Sequence, residues 1–234
     1  MLPSQGRGRR FEPGLPLKMT QQEILQKTRE YVKEKLSGEG TGHDWFHIER
    51  VVHNALNIAE GEKNVDIFLV ELGALLHDIA DSKFYPEGED EKRIREWLES
   101  LDVEKKIIDE VVHIVQSVSF KGGKNPVQPN TIEAKTVQDA DRLDALGAIG
   151  IARAFTYGGH KGRPLYDPEI KPIEYEDTAS YRKSDAPTIN HFYEKILKLK
   201  GLMNTENGKE MALGRHKFIE EYLKHFYSEW EGKE

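Results

Sequence analysis

The 234-residue chain contains no cysteine. This absence excludes disulfides, thiolate catalysis and zinc sites with cysteine ligands, and it fits a reducing, cytoplasmic compartment. The chain also lacks any apolar run that approaches the roughly 20 residues of a membrane-spanning helix. We therefore expect no membrane partner, and any metal site must be built from nitrogen and oxygen ligands.

The chain has no excess of positive charge. Its 34 Lys and Arg residues are outnumbered by 41 Asp and Glu residues, which gives a net charge of −7. General nucleic-acid binding is therefore not expected, because such proteins present a basic face. A small phosphorylated substrate is compatible with this acidity, since a bound metal ion supplies positive charge locally. The composition also leaves a homo-oligomer open.

Strand-like alternation of polar and apolar residues is not evident either. Apolar residues recur at helical spacing instead, which predicts an all-α fold with one domain over residues 19–234. Residues 1–18 are basic and rich in glycine and proline, and they contain no apolar signal-peptide core. We interpret them as a disordered N-terminal tail, with a weak targeting segment or an artificial extension as the alternative.

Capping signals predict where the helices of the first half begin. A capping box at Thr20 opens the first helix, and Asp44 is the expected N-cap of the second, which ends near Gly61. The pair formed by Asp44 and the preceding histidine is therefore interpreted as a helix entrance. A third, central helix is expected to begin at residue 64 or 66 and to end near residues 82–83.

After the central helix, a charged helix is expected over residues 89–101 and an apolar helix over residues 103–120. Thr131 then opens a long helix that is expected to continue to residue 159. Residues 158–186 form an irregular section that is too long for a plain connection, so we predict a lid or a wall of the site. Two helices, over residues 187–200 and 206–230, are expected to close the chain.

The segment over residues 71–81, ELGALLHDIAD, places an imidazole and a carboxylate side by side in an apolar helix. Because unpaired polar groups are costly in such a place, His77 and Asp78 are best explained by a bound divalent cation. His47 and Asp141 lie in two further helices built for burial. Together the four form a mixed nitrogen and oxygen site that suits Mn²⁺, Fe²⁺, Co²⁺, Ni²⁺, Zn²⁺ or Mg²⁺.

Three motifs carry a resemblance to a known family: His47-x-x-Arg50-Val51, Leu75-Leu76-His77-Asp78-Ile79 and Asp139-Ala140-Asp141-Arg142-Leu143. Over roughly residues 20–230 the chain resembles the HD-domain metal-dependent phosphohydrolases, in particular a subgroup of small single-domain members. The resemblance implies a helical bundle around a buried metal site, with His47, His77, Asp78 and Asp141 as ligands. It also implies hydrolysis of phosphoester or phosphoanhydride bonds, with nucleotides as the expected substrates and Mn²⁺ as the favoured cation.

Further residues are candidates for catalysis and substrate binding. Asp81 follows the His77-Asp78 pair by about one helical turn, so we expect it to act as general acid or base. Lys83 is the first candidate for a phosphate contact. Lys121 and Lys195 are weaker candidates, because surface lysines are commonly only solvated. Arg50 is a further candidate for binding phosphate, with pairing to an aspartate that orients the ligands as the alternative.

Two other functions remain open at this point. Some HD-type proteins resemble oxygenases that hold two irons through additional histidines, and His113 is a candidate for such a ligand, with His43 or His53 as a second. His53 follows His47 by six residues, or about 240° around a helix, so it should point elsewhere. The other alternative is a non-catalytic nucleotide sensor, which would be expected to lack a ligand or Asp81.

Overall fold

A computed structural model describes residues 18–36, 44–79, 89–118, 125–174 and 185–233. Within these ranges the chain forms helices and no strand, which confirms the all-α prediction. The helices are α1 (Gln21–Lys35), α2 (Trp45–Ala59), α3 (Ile67–Leu76), α4 (Glu89–Ser100), α5 (Lys105–Val118), α6 (Ile132–Asp144), α7 (Gly147–His160), α8 (Thr188–Glu194), a 3₁₀ helix (Ile196–Leu202) and α9 (Glu206–Trp230). The predicted tail, apart from its last residue, and the candidates His43, Asp81, Lys83 and Lys121 lie outside the described residues.

The predicted helix starts are confirmed by their caps. Thr20, Asp44, Asp66 and Thr131 each precede a helix, and each side chain accepts a hydrogen bond from a backbone N–H of the first turn. At Thr20 the capping box is complete, because the Glu23 carboxylate accepts from the Thr20 N–H at 2.7 Å. These caps satisfy donors that the helix itself leaves without partners.

The centre of the bundle is α3, which packs against α1, α2, α5 and α6. Its residues are buried around nearly the whole circumference, with Leu72, Leu75 and Leu76 fully inaccessible to solvent. α2 packs against both α3 and α6, so these three helices form the core. No helix among the described residues has both the length and the apolar character needed to cross a bilayer.

The predicted end of the central helix is wrong. α3 ends at Leu76 rather than near residues 82–83, and His77 is its C-cap. The chain tightens there, because the Ile79 N–H donates to the Leu76 carbonyl three residues back at 3.2 Å. Ile79 remains buried in this turn. The apolar periodicity therefore continues beyond the last helical residue, so the sequence pattern does not reveal where α3 ends.

The long helix predicted from Thr131 to residue 159 is also wrong, because it divides into α6 and α7. Leu146 is extended, and Gly147 has φ +69°, in the left-handed region that glycine enters without steric cost. The Arg215 guanidinium donates to the Leu143 carbonyl at 2.6 Å, in the last turn of α6. The result is a corner between α6 and α7, and Arg215 of α9 contacts this corner through its hydrogen bond to Leu143.

The closing helices are confirmed in part. α9 covers the predicted range of 206–230, whereas the helix expected over 187–200 divides into α8 and the 3₁₀ helix. The break falls at Lys195, whose φ of −135° leaves the helical region, and Pro187 is the N-cap rather than a residue of the first turn. The irregular section begins after His160, at the end of α7. Its role as a lid or wall stays a prediction.

Candidate metal centre

Two imidazoles meet at the centre of the bundle. His47 lies in the first turn of α2 with none of its surface exposed, and His77 lies just after α3, where the two helices pack together. Their Nε2 atoms are 3.2 Å apart, and their rings meet edge to face. Residues 30 positions apart in the chain thus present the same type of ligand atom to one point.

Two carboxylates complete this cluster. Asp78 Oδ2 lies 3.4 Å from His47 Nε2 and 3.6 Å from His77 Nε2, and Asp141 Oδ1 lies 3.5 Å and 3.8 Å from the same two atoms. Ligand atoms at about 2.1 Å from a cation stand about 3 Å apart in neighbouring octahedral positions. The structure therefore brings together the four residues predicted as ligands, at separations slightly wider than a bound cation would impose.

The hydrogen bonds of the two rings show that the donor set fits a cation. A carbonyl can only accept, so His77 Nδ1, 2.8 Å from the Ala74 carbonyl, must carry the proton. His47 Nδ1 lies 2.7 Å from Asp144 Oδ2 and likewise donates. In each neutral ring the lone pair therefore lies on Nε2. Two lone pairs face each other beside two carboxylates, an arrangement that a divalent cation stabilises.

Asp144 organises the outer side of the centre. Besides the His47 ring, its carboxylate accepts from Arg50 through Nε at 2.7 Å and Nη2 at 3.0 Å, and from Arg153 Nη1 at 2.8 Å. Burial by itself would raise the pKa of Asp144, but the hydrogen bonds from His47 and Arg50 and the charge of Arg153 lower that pKa well below its usual range. The carboxylate is therefore ionised whenever the protein is folded near neutral pH.

The pKa of His47 responds to the same surroundings. Burial lowers it, but the hydrogen bonds to Asp144 and Asp78 outweigh burial, so the net shift is upward. This direction is the one expected for an imidazole between carboxylates, each of which favours a positive charge on the ring.

Another carboxylate of α6, Asp139, faces away from the imidazoles toward α9. Its two oxygens accept from the backbone N–H groups of Asn204 and Thr205 and from both of their side chains, at 2.8 to 3.0 Å. The Arg142 guanidinium lies farther away, at 3.8 Å, and donates to the Leu202 carbonyl. Asp139 therefore fastens the start of α9 to the helix that carries Asp141.

The other sequence-based candidates occupy different places. Lys195 lies at the break after α8, where its charge acts on His191. Arg50 lies beside the centre and pairs with Asp144, the alternative considered from the sequence, while about a third of its side chain stays exposed. His53 is exposed, in agreement with its predicted direction away from His47.

His113 is remote from the two imidazoles. It lines a cavity of about 710 Å³ together with Asp66 and Glu133, at the N-terminal end of α3. His77 lies at the opposite end of this helix, which has 10 residues and a length of about 15 Å. The position of His113 therefore does not favour the hypothesis of a second iron at the centre.

Sequence reasoning missed Arg153. The residue follows Asp144 by nine positions, and on a continuous helix the two would stand about 13.5 Å apart along the axis. The corner at Gly147 turns α7 back, so that Arg153 contacts Asp144 at 2.8 Å. The available signal was the glycine pair Gly147 and Gly150, a pattern that is compatible with close helix packing as well as with a helix boundary.

These features define a class of protein: an all-α bundle whose central helices bring two imidazoles and two carboxylates to one buried point. Residues 45–146 match the family described as HD domain, a range that contains all four of these groups. Across 201 residues the chain is 39% identical to the protein YpgQ of Bacillus subtilis, covering 85% of this chain and 90% of YpgQ.

Solved structures show the same similarity. An HD-superfamily hydrolase from Bacillus thuringiensis is 44% identical, with a TM-score of 0.71 over 91% of this chain and 99% of the other. A Lactobacillus plantarum structure is 35% identical, with a TM-score of 0.81 over 92% and 100%. YpgQ in complex with ADP gives a TM-score of 0.72 at 36% identity over 90% and 97%. The chain belongs to the HD-domain family, as one of the HD-superfamily hydrolases.

Proposed function

We propose that the protein is a divalent-metal-dependent phosphohydrolase that cleaves phosphoester or phosphoanhydride bonds of nucleotides. The observation that carries this proposal is the convergence of two imidazoles and two carboxylates. The two Nε2 atoms are 3.2 Å apart, and each carboxylate has an oxygen within 3.8 Å of both of them. His47, His77, Asp78 and Asp141 would hold the cation, with Mn²⁺ favoured. A cation held there supplies Lewis acidity and lowers the pKa of water toward neutrality.

The charges around the centre support an anionic substrate. Asp78, Asp141 and Asp144 contribute three negative charges, and Arg50 and Arg153 contribute two positive ones. These five side chains leave one negative charge, which a divalent cation reverses to one positive charge. Because the surroundings are largely buried, that excess acts with less screening than it would at the surface. A phosphoryl group is the ligand that such a field favours.

Nucleotides are the proposed substrate class on two grounds. YpgQ, the Bacillus subtilis relative, has been solved in complex with ADP, and the motifs around His47, His77 and Asp141 resemble those of phosphohydrolases. In this proposal Asp81 moves the proton, and Lys83, Lys121, Lys195 and Arg50 contact phosphate. The exposed part of the Arg50 side chain is compatible with such a contact while the rest holds Asp144.

The test is a panel of nucleoside mono-, di- and triphosphates with Mn²⁺, with phosphate and pyrophosphate measured separately. Wild-type protein is expected to release one of the two products, and His77→Ala and Asp78→Ala are expected to fall to background because a ligand is lost. His53→Ala is the matched control, since this histidine of α2 is exposed and should leave the rate unchanged. Full activity in His77→Ala would rule out the proposed centre.

A further inference from the structure

The buried carboxylate of Asp144 receives four hydrogen bonds from two helices beyond its own. Oδ2 accepts from His47 Nδ1 at 2.7 Å, from Arg50 Nη2 at 3.0 Å and from Arg153 Nη1 at 2.8 Å, and Oδ1 accepts from Arg50 Nε at 2.7 Å. Only 1% of its side chain is exposed. Such a concentration of charged donors on one buried acceptor is rarely needed for stability alone, because buried ion pairs offset little more than their own desolvation.

The hydrogen bond to His47 has a consequence for metal binding. An imidazole that donates through Nδ1 must present its lone pair at Nε2, and Nε2 of His47 is the atom 3.2 Å from His77 Nε2. The other tautomer would place a proton at the point where the ligand atoms meet. Asp144 therefore selects the ligand-competent form of the ring, provided that its own carboxylate stays in place.

The two arginines keep the carboxylate in place. Arg50 is bidentate and comes from α2, the helix that also carries His47, whereas Arg153 comes from α7. With donors on both sides, the carboxylate cannot rotate away from the ring without breaking a charge-assisted hydrogen bond. The contact from α7 exists because the chain turns at Gly147, so this corner between helices serves the centre directly.

We propose that Asp144, oriented by Arg50 and Arg153, is the positioning residue that fixes the Nδ1–H tautomer and the direction of His47, and that Arg153 is required for this. The inference rests on the metal centre of the proposed function. It assigns no catalytic role to Asp144 or Arg153, since both act through His47.

The first readout is the tautomer of His47 in metal-free protein, from long-range ¹H–¹⁵N correlations of the ring nitrogens. The second is the affinity for Mn²⁺ by calorimetry. In Asp144→Ala no carboxylate accepts from Nδ1, so His47 is expected to lose its preference for the Nδ1–H form and to populate both tautomers. Affinity for Mn²⁺ is then expected to fall about 10- to 100-fold, the usual effect of losing a group that orients a ligand.

Arg153→Met keeps Asp144 and tests the arginine. We expect a mixture of both tautomers and a several-fold loss of Mn²⁺ affinity, and Arg153→Lys should restore most of it because an ammonium can replace the single Nη1 contact. Arg29→Met is the matched control. It removes a part-buried arginine that contacts Glu71 at 2.5 Å, and it should lower stability while Mn²⁺ affinity stays at the wild-type value.

A folded Asp144→Ala protein that keeps the Nδ1–H tautomer alone and has wild-type Mn²⁺ affinity would overturn the inference. If that variant does not fold, unchanged tautomer and affinity in Arg153→Met would overturn it. Mn²⁺ binding without hydrolysis of any phosphate would refute the proposed function and leave the positioning role intact. A wild-type protein that binds no Mn²⁺ would remove the metal centre, whereas the tautomer measurement would still decide whether Asp144 fixes the ring.

Discussion

His47 and His77 present the same atom to the candidate metal centre, but different parts of the molecule hold the two rings. His77 donates to the carbonyl of Ala74, three residues earlier, in the last turn of α3. His47 donates to Asp144, which is 97 positions further along the chain. One ring is therefore held by local backbone, and the other by a side chain that reaches it through the tertiary fold.

The two arrangements differ in what can disturb them. The Ala74 carbonyl is fixed by the geometry of α3, so no substitution of another side chain removes this acceptor. Asp144 depends on Arg50, on Arg153 and on the corner that brings α7 back toward α6. Substitutions far from the centre should therefore act on it through His47 rather than through His77.

The largest effect is expected from Asp144→Ala. It leaves Arg50 and Arg153 close together without their shared carboxylate, with side chains only 32% and 20% exposed. Removing one partner of a buried ion pair costs about 3–5 kcal/mol, and we expect the lower end because the arginines are partly solvated. Urea denaturation in the presence of a chelator measures this loss in the free energy of unfolding.

Glu71→Ala provides the comparison for that measurement. Glu71 contacts a single arginine, Arg29, in a less buried pair that should contribute about 1 kcal/mol or less. A loss in Asp144→Ala no larger than that in Glu71→Ala would mean that the two arginines do not depend on the carboxylate. The stability measurements would then give no support to the proposed difference between the side chain that holds His47 and the backbone carbonyl that holds His77.

The parts of this arrangement that sequence reasoning predicted are those with local signals. The caps at Thr20, Asp44 and Thr131 need only a hydroxyl or carboxylate before a periodic segment. His47, His77, Asp78 and Asp141 stood out because each is polar within a segment that is otherwise built for burial. Their convergence follows from helices that must bury those apolar faces together.

The parts that were missed depend on backbone geometry that side-chain periodicity does not report. Leu76 and Ile79 are both buried, although α3 ends between them. Leu143 and Leu146 are also both buried, although α6 ends between those two. Arg153 could not be placed near Asp144 while the helix was taken as continuous. The fold class and the convergence of the four candidate ligands were thus accessible from sequence, whereas the support of His47 was not.

Asp139→Asn is expected to have the next largest effect. This carboxylate, like Asp144, is buried on α6, but its donors come from Asn204 and Thr205 at the start of α9. An amide group would face N–H donors on one side, and we expect a loss of about 2–3 kcal/mol by urea denaturation. Because none of those donors touches an imidazole, affinity for Mn²⁺ should change less than about threefold, well below the effect that losing a ligand-orienting group has.

The same variant can contradict the comparison. If Asp139→Asn lowered Mn²⁺ affinity as far as Asp144→Ala does, the contacts to α9 would also orient the ligands. The support of the centre would then extend along the whole of α6 and would not be confined to the side of His47.

Gly147→Ala tests the corner itself. Alanine at φ +69° is strained, and its Cβ would lie 3.2 Å from the Cβ and Cγ of Arg215. We expect a loss of about 1–3 kcal/mol in the free energy of unfolding, with a smaller decrease in Mn²⁺ affinity than in Arg153→Met. Gly159→Ala is the matched control within α7, because nothing lies within 4 Å of the added Cβ. There alanine should stabilise the helix by up to about 1 kcal/mol. Equal effects in the two variants would exclude a special role for the corner.

A third imidazole, His191, extends the comparison to a ring whose charged form is disfavoured by burial and by two cations. The smallest effect is expected there. Burial, together with Lys195 and Arg163, lowers the pKa of His191 to about 3, the opposite direction to His47. The folded protein therefore keeps this ring neutral, while the unfolded chain takes up a proton near pH 6.5.

The contribution of His191 to the free energy of unfolding is complete above pH 6.5. It declines as the pH falls toward 3, because the unfolded state then binds more protons than the folded state. Between pH 6.5 and 5.5 the loss is about 1 kcal/mol, within the limit of roughly 1.4 kcal/mol per pH unit for one group. Urea denaturation of wild type and His191→Gln across this range measures the difference in slope. Parallel pH profiles would show that His191 gains a proton in the folded protein as readily as in the unfolded chain, so burial and the nearby cations would not hold the ring neutral.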